Sequence, residues 1–424
     1  MNDRPAALPA DRCIPMIVRQ HAEESAHLRN VRARLLNAPD VKLSDLSRHD
    51  ERLAAHLDGL AIAGAGGWRA CEEALEKPEA GVVFAAAVRA IEDRNAQQLS
   101  KLLAVVLAVP DARRGFLSAF GWVASRHLQG TIKDMLVSES AAQRWAGVAA
   151  CAMHRVDPGV VSRMREEDSE MRARALRTAG ELGKSEVVSL LAGAIADADP
   201  GCQFWAAWSA VLLGDRVNAL EYLCAAAIGD EPWQPRALQL ALQAMRVEAA
   251  HALLQQFSGA PDKLRTLIRG AGLAGDPAYV PWLIGHMADD KMARVAGEAF
   301  SMITGLDLAA LALERALPGD AGAGPNEDPE DPNVDMDDDE GLTWPDASRV
   351  EAWWAQHGSR FSRGTRYFVG ATLTRGHCID VLKNGYQRQR IAAAYHLSLL
   401  DPGTPLFEWR APAWRQQQEL ARLV

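Results

Sequence analysis

The sequence predicts an all-α chain in which helical hairpins of about 31 residues stack into an α-α superhelical solenoid, ending in a C-terminal helical extension. Three observations predict it. The composition is rich in Ala and Leu, side chains that lose little freedom on entering a helix. Polar or proline-bearing breaks recur near Pro78, Pro110, Glu139, Asp168, Asp199, Asp230, Pro261 and Asp290, at steps of 29 to 32 residues. A second series of breaks, Gly183, Gly214, Met245 and Gly275, falls between them in phase. A fixed period with an in-phase inner turn is the mark of a hairpin repeat, whose units bury their apolar faces only by stacking.

Residues 1–43 read as an N-terminal capping region, carried by one long charged amphipathic helix between Pro9 and Asn37. Residues 44–305 hold the repeats. Ser44 to Pro78 reads as a degenerate first copy ending in a flexible AGAGGW turn. The clearest copy runs from Ser169 to Asp199. Its first helix sets Met171, Ala175, Leu176, Ala179 and Leu182 on one face. Its second sets Val187, Leu190, Leu191, Ala194 and Ile195 on another, so aspartate at Leu190 or at Leu223 is expected to unfold the neighbouring hairpins. The turns LLGDR and LAGDP pair a left-handed Gly cap with an Asp that caps the next helix. Tandem hairpins of this length are HEAT-like.

Residues 306–345 break the pattern and read as an acidic linker, with a C-terminal helical segment over 346–424. The linker carries nine carboxylates between Asn326 and Glu340, equal to the whole net charge of −9. Deleting Gly319 to Glu340 is therefore expected to cost little stability, since the stretch has almost nothing apolar to bury. In the last segment, helices are predicted over Ser348–His357, Thr374–Asn384 and Arg388–Leu400.

Chemistry is scarce. Asp335, Asp337 and Asp339 fall at positions 1, 3 and 5 of a calcium-loop pattern with Asp346 at position 12. Glu340 stands where that loop needs Gly, however, and position 12 is usually Glu. A solvated acidic stretch is the better reading, and an electrostatic role, covering the basic C-terminal segment or engaging a basic partner, is the alternative. His49 with His56, His21 with His27, and His377 beside Cys378 lack zinc-site spacing. The six cysteines form no C-x-x-C pair and read as free thiols of a reducing compartment. Arg163, Arg165, Arg172, Arg174 and Arg177 cluster, but Glu166, Glu167, Asp168 and Glu170 interleave with them as a salt-bridged surface would. That, with the acidic balance, argues against nucleic acid. No signal peptide or apolar span is visible, so a soluble cytoplasmic protein without a membrane partner is expected. Among the 12 tryptophans, the pair Trp353 and Trp354, together with Asp335, Asp337, Asp338 and Asp339, is the candidate partner-binding set. No catalytic residue, metal ligand or cofactor site is assigned.

The stretches ARVAGEAFSMITGLDL, WPDASRVEAWW, GTRYFVG and RQRIAAAYHLSLLDPGTPLFEWRAPAWRQQ resemble a bacterial family with HEAT-like repeats, often encoded among type VI secretion genes. The likeness is sharpest from Ala293 to Gln418. It implies a role linked to secretion and carries over no catalytic residue. The function expected is a non-catalytic protein-binding scaffold or adaptor whose partner is a secretion-system component or effector. An immunity-type inhibitor of a toxic effector, and a HEAT-like enzyme such as a lyase or DNA glycosylase, are the alternatives.

Overall fold

The computed structural model describes residues 13–229, 232–318, 337 and 339–423, in two compact units. The first comprises Met1–Asn37, Val41–Leu182 and Glu408–Val424. The second comprises Ala38–Asp40 and Gly183–Phe407.

The first unit runs through α1 (Pro15–Leu35), α2 (Leu43–Ile62), α3 (Ala65–Ala74), α4 (Ala80–Glu92), α5 (Ala96–Ala108), α6 (Arg113–Trp122), α7 (Thr131–Val137), α8 (Ala141–Met153), α9 (Val160–Arg163) and α10 (Ser169–Glu181). Its last residues add a closing helix, Ala413–Leu420. Helix α4 is buried without a break from Val83 to Ile91, because it is enclosed by α1, α3, α5 and α6. Glycine permits that enclosure. A Cβ on Gly81 would meet the carbonyl of Ala26 in α1, and one on Gly115 in α6 would meet that of Ala80. The closing helix is tied down by Asp50, whose carboxylate accepts from the Ala413 amide at 2.8 Å.

The second unit continues with α11 (Val188–Ala194), α12 (Pro200–Leu212), α13 (Asn218–Ile228), α14 (Gln234–Ala244), α15 (Val247–Gln255), α16 (Leu264–Ala274), α17 (Val280–His286) and α18 (Ala293–Thr304). After the linker come α19 (Ala347–His357), α20 (Arg375–Asn384) and α21 (Gln387–Leu400), close to the predicted helices. The predicted punctuation is seen at the atomic level. The Asp168 and Asp199 side chains accept from the amides of Met171 and Cys202 at 2.8 Å each, capping α10 and α12. Gly183, Gly214 and Gly275 are left-handed, at φ 69°, 106° and 75°.

A feature that the sequence reading missed is a two-stranded antiparallel hairpin, β1 (Tyr367–Phe368) and β2 (Ala371–Thr372). Its turn residues, Val369 and Gly370, both take positive φ, as a two-residue hairpin turn of the twisted kind requires. Their amides donate to the carbonyls of Met302 and Ile303 at 2.7 and 3.1 Å, so the tip closes the C-terminal end of α18.

Two expectations are corrected. Leu190 is 37% exposed, whereas Val187 and Leu191 are buried. The second helix of that copy is short and starts at Val188 behind a 3₁₀ turn over Ser185–Val187, so the face reading begins one element too early. The other correction concerns the end of the acidic stretch. Asp339 is 2% exposed, paired with Arg265 and, at 3.7 Å, with Arg269 of α16; Asp337 pairs with Arg294 of α18 at 2.5 Å. Residues 319–336 and 338 lie outside the described residues. The linker's end is therefore bound to repeat arginines.

Among the described residues, no helix is long and apolar enough to cross a membrane.

Two outcomes follow from burial. Leu223, fully buried in α13, becomes a strongly destabilising site when replaced by Asp, by more than about 4 kcal/mol. Leu190→Asp stays within about 0.5 kcal/mol of wild type. Urea unfolding followed by circular dichroism checks both, and equal effects at the two positions would refute the face assignment. Asp339→Ala should lower the urea midpoint by about 1–3 kcal/mol of stability at an unchanged m-value, because Arg265 and Arg269 lose their carboxylate.

Candidate functional site

In the first unit, α1, α4, α6, α8 and α10 turn one face inward around a cavity of about 380 Å³, closed on one side by residues from Glu408 onward. Helical spacing supplies the wall. On α6, Arg114, Ser118 and Trp122 follow at intervals of four and share a stripe. On α1, Arg29 and Arg32 lie three apart. On α10, Arg174, Arg177 and Glu181 repeat the pattern. Phe84, Leu117, Trp145 and Met153 complete an apolar lining.

The cavity holds seven arginines against two glutamates, in a protein whose net charge is −9. Most of those arginines are neutralised. Arg32 is buried and bidentate on Asp50, at 2.6 and 3.2 Å. Its remaining N–H groups donate to the carbonyls of Arg410 and Ala411 at 3.0 and 2.9 Å. Glu181 lies among Arg174, Arg177 at 2.7 Å and Arg410 at 4.0 Å. Arg410 also holds Glu408 at 2.8 Å. Arg415 stands near Glu408 and Glu419 and donates to the Gly121 carbonyl.

Arg29 and Arg114 differ. Arg29 donates only to neutral oxygens, Ser118 Oγ at 3.2 Å and Asn30 Oδ1 at 3.3 Å. Among the described residues, neither Arg29 nor Arg114 has a carboxylate within ion-pairing distance. Burial first, then the nearby charges of Arg32 and Arg114, brings the Arg29 guanidinium down to about 10. It remains charged at neutral pH under repulsion from its own neighbours.

The cavity carboxylates are held in their ionised form. Burial opposes the ionisation of Glu181, but Arg174, Arg177 and Arg410 outweigh it and hold the group at about 2. Glu408 is likewise held below its ordinary value: burial raises it, and the adjacent Arg410 more than offsets that. Both stay ionised and engaged near neutrality, so neither is placed to give up a proton. What the wall can do is bind: a guanidinium fork is matched to planar and tetrahedral oxyanions.

The described members of the predicted partner-binding set, Trp353, Trp354, Asp337 and Asp339, lie elsewhere, in the second unit. Trp353 and Trp354 are half-buried on α19, their ring centroids 6.1 and 6.5 Å from that of Phe300. Trp353 also stacks on His357, at 4.6 Å. Asp337 and Asp339 are engaged by α16 and α18, and Asp335 and Asp338 lie outside the described residues. Asp346, read as the last calcium-loop position, instead caps α19 through the Arg349 amide at 3.1 Å. His21 and His56 face one another across α1 and α2, Nδ1 to Nδ1 at 3.2 Å, while His49 bonds the Leu28 carbonyl at 2.8 Å. Of the cavity residues, Arg174 and Arg177 stood out in the sequence as part of a charged cluster, and Trp145 as one of the tryptophans of the repeat helices. The two arginines pair with Glu181 behind them rather than with the carboxylates interleaved before them.

Residues 157–246 match the family model for HEAT repeats. The matched stretch covers α9 to α14, the hairpins whose punctuation is most regular. Neither a curated protein nor a solved structure matches the chain. The chain is an all-α helical repeat protein with HEAT-type hairpins, a class that generally serves protein–protein interaction.

Glu181→Gln should destabilise the first unit by about 3–5 kcal/mol at pH 7, since it strands buried guanidinium charge. Because the folded group titrates near 2 against an ordinary 4.5, its contribution is complete above pH 4.5 and fades as pH falls toward 2. The stability gap between wild type and variant therefore narrows below pH 4.5. Urea midpoints at pH 7 and pH 3.5 test this, and a constant gap would contradict it.

Proposed function

We propose that this chain is a non-catalytic HEAT-repeat binding protein, and that its first unit grips an anionic group of a protein partner in the arginine-lined cavity. One observation carries the reading: Arg29 and Arg114 reach the cavity without a carboxylate of their own among the described residues. Unmatched cations beside an apolar aromatic wall give both the charge and the buried contact area that binding hot spots combine. The HEAT match supports protein partners, and the arginine-held state of Glu181 and Glu408 supports binding over acid–base chemistry. The resemblance over Ala293 to Gln418 favours a type VI secretion component or effector as that partner, in the cytoplasm of a bacterium.

The test is a comparative one. Tagged wild type and the Arg29→Ala/Arg114→Ala double variant are purified from the host at native expression, and what accompanies each is quantified by mass spectrometry. At least one protein should fall by about tenfold or more in the variant, the loss expected for two charge-assisted contacts. An identical set of proteins with both baits would overturn the cavity as the gripping site.

A further inference from the structure

We infer that the anionic group taken by this cavity is a phosphate monoester carried on an aromatic or apolar body, an inference that rests on the reading of the cavity as the gripping site. Charge balance is the first ground. Five of the seven cavity arginines have acidic neighbours: Arg32 has Asp50, Arg174 and Arg177 share Glu181 with Arg410, and Arg415 stands near Glu408 and Glu419. Arg29 and Arg114 are the remaining two. A carboxylate or sulfate ester brings one negative charge and leaves one guanidinium unmatched. A phosphate monoester brings nearly two at neutral pH, with three acceptor oxygens.

The donors form the second ground. Arg29 spends Nε on Ser118 and one Nη on Asn30. Its other Nη remains for a ligand, as do all the N–H groups of Arg114, which bonds nothing among the described residues. Ser118 accepts from Arg29 and donates to the Gly115 carbonyl at 2.8 Å, so its role is to orient Arg29 rather than to contact the anion. N–H donors from two helices that line one cavity suit three oxygens on one centre.

The third ground is the wall beside them. Leu117 lies three residues and Trp122 eight residues beyond Arg114 on the same helix, with Phe84 and Trp145 across the cavity. The volume of about 380 Å³ falls in the range of small-ligand pockets, enough for a phosphate and the ring or short chain that bears it. The Phe84 and Trp122 rings already meet edge to face, 5.9 Å between centroids, which fixes the indole as a rigid surface. Such a ligand is either a phosphorylated side chain of the partner or a free organic phosphate.

Isothermal titration of the full-length protein with phenyl phosphate, phenyl sulfate and benzoate separates charge from shape, since the sulfate is nearly the same size with one charge fewer. Phenyl phosphate should bind at least about tenfold more tightly than either monoanion, and Arg29→Gln or Arg114→Gln should each weaken it by about tenfold or more. Arg52→Gln, an exposed arginine of α2 outside the cavity, should leave it unchanged. Because Arg114 is itself exposed, its variant folds and keeps the test decisive if Arg29→Gln does not. Phenyl phosphate binding no tighter than benzoate, or wild-type affinity in the Arg114 variant, would overturn the inference. If partner capture depends on these arginines while phosphate shows no preference, only this inference falls. If phosphate binds as described while capture ignores both residues, the partner reading falls and the phosphate site stands. Loss of capture after phosphatase treatment of the partner assigns the phosphate to a side chain. Release of an organic phosphate on denaturing the purified protein assigns it to a free ligand.

Discussion

Short stacked helices create one demand above all others: their ends must be satisfied. Each leaves C-terminal carbonyls without intrahelical donors, and stacking removes the water that would otherwise serve them. This chain meets the demand with segments distant in sequence. In the second unit, Arg366 donates to the carbonyls of Leu242, Gln243 and Met245 at the end of α14, and at 3.1 Å to Ala274 at the end of α16. Gly275 leaves room there, since a Cβ on it would meet the Tyr367 carbonyl. The hairpin tip serves α18 in the same way, and Arg390 donates to the Leu382 carbonyl of α20 at 2.7 Å. In the first unit Arg415 serves the Gly121 carbonyl at the end of α6. The residues after the repeats are structural plugs of their own units.

Arginine suits this work because its fork presents several donors in one plane and stays charged when buried. Burial nevertheless has a cost, visible in the lowered values of Arg366 and Arg390, both about 10 and both through burial alone. Each spends that cost on named carbonyls. Arg174, also about 10 and also lowered first by burial, spends it on Glu181. Arg29 carries the same penalty, increased by Arg32 and Arg114, for two neutral oxygens. Of these four arginines it is the one that meets neither a carboxylate nor a backbone carbonyl among the described residues.

What could be read in advance divides along this line. Period, inner glycines and capping aspartates were legible because each is a local signal: Asp168 reaches an amide three residues on, and Gly214 needs its φ for a turn of its own. Leu190 was misread for a local reason too, since α11 is so short that the 3₁₀ turn before it shifts the apolar face. The plugs and the cavity were not legible, because their partners are far apart. Asp339 finds Arg265 across 74 residues, Arg366 finds Leu242 across 124, and Asp50 finds Ala413 across 363. An acidic run looks solvated until the arginine that meets its end is known. The packing of the two α19 tryptophans against Phe300 was equally out of reach, since it spans more than 50 residues.

The same distance accounts for the cavity's character. Its arginines come from α1, α6, α10 and the closing segment, and no window of the sequence contains more than two or three of them. Assembled, they give a positive interior to a protein whose carboxylates outnumber its basic residues by 55 to 46. Arg32 and Arg174 each have a carboxylate beside them. Arg29, half-buried, and Arg114, exposed, have none among the described residues, and their like charges repel. An anion bound there removes the repulsion and stabilises the folded state by mass action, in proportion to its concentration over its Kd.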